Sequence, residues 1–144
     1  MFRVTSEFRH ALWASGLLGR LAMKTHAGSC HCGAIKFEID SDLAEFTKCD
    51  CSLCVKKNAV MVKVHEDRFR LMTGREQLGL YQWNTGVAKH HFCEVCGIYT
   101  FHRKRVTPDF LGINVFCLDD AEISNVPVVT VDGITMTSKT SDSS

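Results

Sequence analysis

Apolar and polar residues alternate with a period of two over Ala34-Ile35-Lys36-Phe37-Glu38-Ile39-Asp40, the pattern of a strand with one buried face. Ala59 to His65 is rich in β-branched residues, Arg68 to Met72 alternates about Phe69 and Leu71, and Thr73-Gly74 supplies a turn. Leu78 to Trp83 reads as another strand, closed by Asn84-Thr85-Gly86. Ile98 to His102 and Phe110 to Phe116 complete the set, with Pro108 and Asp109 punctuating between them. Only Phe8 to Met23 looks helical; elsewhere no period of 3.6 is sustained. The pattern predicts a mainly β fold of short antiparallel strands.

The chain has 144 residues, 45% of them hydrophobic, with 17 Lys+Arg against 16 Asp+Glu and a formal charge of +1. That is one ordinary domain. The balanced charge argues against a dedicated nucleic-acid partner, which would need a net basic surface. No run of about 18 uncharged apolar residues is present, so no membrane partner is expected. Residues 1–24 read as a dispensable N-terminal extension, 25–134 as the folded domain and 135–144 as a flexible tail too polar to bury a core. Arg3, Glu7, Arg9, His10 and Arg20 interrupt the apolar residues of the start, which argues against a secretory signal.

Eight cysteines are the outlying feature of the composition. Cys30 and Cys32 form one pair and Cys93 and Cys96 a second with knuckle spacing, together four thiolates able to close a tetrahedron around a structural zinc. Cys49, Cys51 and Cys54 pack three ligands into six residues and leave a fourth position open, as catalytic zinc does. Sequence alone also allows His31, His91 or His102 to close that second site. Two Zn2+ ions are therefore expected, one structural and one catalytic. Thiolates ligate only while reduced, which makes the cytoplasm the expected compartment. Cys117, alone among apolar neighbours, reads as a core residue.

The segments GSCHCGAIKFEI, CDCSLC, HFCEVCGIYTFHRKR and GINVFCL, spread over Thr25 to Val131, resemble in order the glutathione-dependent formaldehyde-activating enzyme family, which includes the centromere protein V group. The resemblance implies a β-tent type fold pinned by zinc, with Cys30, Cys32, Cys93 and Cys96 on the structural ion and Cys49, Cys51 and Cys54 on the catalytic one. It also implies an enzyme that condenses glutathione with formaldehyde to S-(hydroxymethyl)glutathione, a carbon-sulfur lyase run in reverse. Val55-Lys56-Lys57-Asn58 stands where many members carry Arg-Arg or Arg-Lys.

On that reading a three-thiolate zinc, with a net charge of minus one, suits thiol capture better than water activation. Addition of the thiol to an aldehyde leaves an alkoxide, for which His102 and Tyr99 are the candidate proton donors. Lys56, Lys57 and Arg103, with Lys104 and Arg105 beside them, are candidate partners for the carboxylates of glutathione. His90 and His91 read as supports of the second knuckle. The expected partners are a small-molecule thiol and an aldehyde. The competing expectation is a zinc-stabilised binding module with no chemistry, and behind it a redox or metal sensor.

Overall fold

A computed structural model describes residues 23–133. The helical reading of residues 8–22 and the tail at 135–144 lie outside the described residues. The described strands are β1 (Lys24–Ser29), β2 (Lys36–Ser41), β3 (Phe46–Cys49), β4 (Met61–His65), β5 (Phe69–Thr73), β6 (Leu78–Tyr81), β7 (Lys89–Cys93), β8 (Tyr99–Arg103), β9 (Phe110–Asn114) and β10 (Val128–Val131). One short helix, α1 (Ser52–Lys57), follows β3, and single 3-10 turns occur at Glu66–Arg68, Arg75–Gln77 and Val115–Cys117. The fold is mainly β, as the alternation predicts.

The strands form a three-stranded sheet, β1-β2-β5, and a seven-stranded sheet, β10-β3-β4-β9-β8-β7-β6. All pairings are antiparallel except that of β10 with β3. The core lies between the sheets. Phe37 and Ile39 of β2 meet Val62 and Val64 of β4, Phe101 of β8, and Leu111 and Ile113 of β9. Phe69 links the two layers, its ring centroid 5.6 Å from Phe37 and 4.6 Å from Phe101. Each such side chain contributes about 1.5–3 kcal/mol by leaving water.

Alternation along the same strands gives the large sheet a second face, turned away from the core, and that face carries the candidate site residues Tyr99 and His102. One irregularity decides which residues it displays. Phe92 pairs with Tyr99 but His91 pairs with Phe101, so Thr100 is an extra residue in β8. Such a bulge resets the alternation. Tyr99 therefore joins His102 on the open face while Phe101 enters the core, and the buried Thr100 hydroxyl donates to the His91 carbonyl at 3.1 Å.

The elements that alternation does not reveal have identifiable reasons for escaping it. β1 and β10 are largely exposed and lie at sheet edges, so neither needs an apolar face. β7 buries His90 on one face and packs His91 against Phe101 on the other, at 5.0 Å between centroids, which hides its period behind polar letters. α1 has six residues, too few to display 3.6-fold periodicity. It ends at Asn58, which takes the left-handed conformation (φ 52°), one that Asn tolerates well.

Two measurements test this frame. Ile113 is fully buried, and Ile113→Ala is expected to lower unfolding free energy by about 2–5 kcal/mol with an unchanged denaturant slope. Arg70 grips Asp40 through two hydrogen bonds of 2.9 and 3.0 Å across β2 and β5, and Thr25 donates to it at 2.7 Å. The Arg70 hydrogen bonds, with Thr25, hold the Asp40 carboxyl down at about 2. A lowered carboxyl pKa stabilises the fold at pH above the unfolded value, about 4, and this contribution fades as pH falls toward 2. The stability difference between the wild type and Asp40→Asn should accordingly shrink over that window and vanish at its acid end.

Candidate active site

The turns that carry the outer cysteines are built alike. Cys30 N–H donates to the Ile35 carbonyl and Cys93 N–H to the Ile98 carbonyl, while Gly33 and Gly97 donate back to Cys30 and Cys93. Gly33 and Gly97 adopt φ of 82° and 80°, a region that costs other residues strain and lets the chain double back after each cysteine pair. The turns bring Cys30, Cys32, Cys93 and Cys96 together with all four sulfurs within 4.8 Å of one another. The Cys30–Cys32 and Cys32–Cys93 sulfur distances are 3.6 and 3.7 Å. A tetrahedral zinc with Zn–S near 2.3 Å has sulfur edges of about 3.8 Å, so this group fits the ion.

The inner three cysteines occupy the end of β3 and the start of α1. Cys51 caps the helix, its sulfur accepting from Cys54 N–H at 3.4 Å, and Cys51 N–H points to the Cys49 sulfur at 3.5 Å. The three sulfurs lie within 4.8 Å of one another, and no His, Asp or Glu among the described residues joins them at that range. Thiols packed this closely do not all ionise without a cation. Hydrogen bonding from Cys54 lowers Cys49 to about 6, while the same contact drives Cys54 upward. The donor set suits a thiophilic divalent ion bound with one position to spare.

A cavity of about 160 Å³ opens over this trio, lined by all three cysteines and by Met61, Trp83, His90, His102, Lys104 and Arg105 among others. His102 lies flat against Gly112, where an added Cβ would collide with the ring. Tyr99 Oη is 2.6 Å from His102 Nδ1, the shortest contact of that hydroxyl, which also approaches Met61 Sδ (3.3 Å) and the Gly112 carbonyl (3.5 Å). His90 stacks on His102 with centroids 5.0 Å apart. Burial, helped by the Lys57 charge, holds both imidazoles neutral: His90 falls to about 3 and His102 lies well below the usual range. Burial raises the Tyr99 hydroxyl well above its ordinary value, so it keeps its proton.

The cations expected to meet carboxylates separate on folding. Lys56 is exposed on α1. Lys57 turns inward, its Nζ 3.0 Å from His90 Nδ1 and 3.7 Å from the centroid of the Tyr99 ring. Arg103 points to the opposite face of β8 from His102 and donates to Glu66 at 2.7 Å, outside the cavity over the trio. Lys104 and Arg105 do line that cavity. His31 is exposed and His91 packs on the core side, so neither reaches the trio. Cys117 is buried, as its neighbours predict.

A contributor distant in sequence, Gly133, escapes sequence reasoning. Gly133 N–H donates to Asp50 Oδ1 at 2.6 Å, and a Cβ at Gly133 would collide with the Cys49 sulfur. Only the parallel pairing of β10 with β3 brings it there.

The sequence profile of the glutathione-dependent formaldehyde-activating enzyme family matches residues 25–131. The chain belongs to that family. A Halomonas elongata protein named after glutathione-dependent formaldehyde activation is 33% identical over 78 residues, which cover 48% of this chain and 50% of the relative. The match thus spans about half the length of that curated family member. A crystal structure of a Rhodobacter sphaeroides protein superposes with a TM-score of 0.66 at 38% identity, covering 71% of this chain and 98% of the other. No helix among the described residues of this family member is long and apolar enough to cross a membrane.

The two sulfur groups make opposite predictions. Cys93→Ser/Cys96→Ser should unfold the domain, because a structural zinc contributes about 10–16 kcal/mol in small metal-dependent domains. Cys49→Ser/Cys51→Ser/Cys54→Ser should lose one metal equivalent by elemental analysis yet keep its far-ultraviolet dichroism, since a serine hydroxyl at the cap position still accepts from the first turn of α1.

Proposed function

We propose that the protein adds glutathione to formaldehyde, giving S-(hydroxymethyl)glutathione, a carbon-sulfur bond-forming reaction of the lyase class run in reverse. The observation that carries this reading is the three-cysteine group, one ligand short of a tetrahedron, on the wall of a cavity that is also lined by His102, whose Nδ1 is held by Tyr99 from behind. A zinc ion bound there would supply a place where a thiol is held in its anionic, nucleophilic form.

The chain's own residues supply the rest. Lys104 and Arg105 line the cavity and meet the carboxylates of glutathione. Trp83 and Met61 provide apolar wall that displaces water around the small aldehyde. Donation from Tyr99 to His102 Nδ1 leaves the proton of the neutral imidazole on Nε2. That N–H hydrogen-bonds the oxygen that gains charge as the sulfur attacks the carbonyl carbon. One C–S bond forms, the C=O π pair moves onto oxygen, and oxygen takes up a proton to replace the one the thiol lost. The net reaction is addition of S–H across C=O. The thiols must stay reduced, which suits a cytoplasmic setting.

The test follows carbon-13 formaldehyde by NMR with glutathione and zinc-loaded protein. Formation of the hydroxymethyl thioether faster than the uncatalysed rate is expected, and His102→Ala should slow the protein-dependent rate by about 100-fold or more. Glutathione binding with no acceleration would replace the enzyme with the binding-module reading. An unchanged rate in His102→Ala would remove that residue from the chemistry.

A further inference from the structure

Lys57 occupies a position that carboxylate recognition does not explain. The cap and helix α1 place Cys51, Cys54 and Lys57 at intervals of three residues, and Tyr99 packs against the cluster of Cys51, Cys54, Ala59 and Met61 and lies under the Lys57 ammonium. Lys57 is not among the residues lining the cavity, whereas His90, which accepts its hydrogen bond, is. The charge therefore sits behind the wall, out of reach of a ligand's carboxylate but within the field of the sulfur trio. The aromatic face and the imidazole lone pair both favour a cation at that point. Burial lowers the Lys57 ammonium from its ordinary value, and the three thiols offset part of that cost.

Cys49, Cys51 and Cys54 would hold a divalent ion with a net charge of minus one, which a fourth thiolate would make minus two. A neutral water would not. Any fixed cation nearby therefore discriminates between the two occupants. Building on the proposed thiol chemistry, we propose that Lys57 is a specificity-determining residue. Its ammonium makes the site select a sulfur that is held as an anion, whatever else the thiol carries. Binding breaks the S–H bond, the proton leaves to the buffer, and the sulfur keeps the electron pair.

The experiment titrates zinc-loaded wild-type protein, Lys57→Gln, Lys57→Met and Lys57→Arg at neutral pH by calorimetry. The probes are glutathione and 2-mercaptoethanol, which has no carboxylate. Both neutral variants are expected to bind both thiols more weakly by the same factor, about 10- to 100-fold for a charge lost several Å away at an effective dielectric near 20. Lys57→Arg should recover most of the loss. Weakening confined to glutathione would make Lys57 a carboxylate clamp and overturn the proposal, and so would unchanged binding of 2-mercaptoethanol. Loss of zinc from the neutral variants but not from Lys57→Arg supports the charge, whereas loss from all three reduces Lys57 to a structural role. Wild-type protein that binds neither thiol overturns the proposed function itself, a failure distinct from the others.

Discussion

Sulfur atoms that share a few ångströms of space repel one another once ionised, and the chain gathers seven of them into two such groups. The outer group draws its members from turns 61 residues apart at Cys32 and Cys93, so closing it ties the small sheet to the large one across the core. The inner group is local, spanning six residues at the end of β3 and start of α1, and does not staple distant parts together. It is consequently free to leave a coordination position open without endangering the fold.

The division of labour extends to the two faces of the seven-stranded sheet. The inward face is closed mainly with aromatic and branched side chains, with His91 packed against Phe101 among them. The outward face buries polar groups instead, and each is answered: Lys57 by His90, Tyr99 by His102, with the rings of His90 and His102 stacked. Buried polar groups of this kind cost stability unless satisfied as a set. Their concentration beside the three cysteines marks where that cost serves chemistry.

What could be read from the letters follows from how local each feature is. Cys30, Cys32, Cys93 and Cys96 announced themselves because ligand spacing is a short-range property of a turn. Strands β2, β4, β5 and β9 were legible because one face of each meets the core. The inward turn of Lys57 and the outward turn of Arg103 were not, since neighbouring basic residues look alike until packing separates them. Tyr99 and His102 meet only because Thr100 is inserted between paired strands, and a bulge leaves no mark in the alternation of so short a segment. Gly133 reached the Cys49 sulfur through a parallel pairing that no nearby residue specifies.

That late pairing also sets a calendar for biosynthesis. A ribosome delivers the hairpin of β1 and β2 before the second knuckle, some sixty residues on, and the strand that walls in Cys49 after both. A domain generally folds as a unit, so the order of emergence decides which groups are at hand when it does. All four outer thiols are thus available before the segment that covers Cys49 exists, and the inner trio stays open to the surroundings until β10 has joined β3.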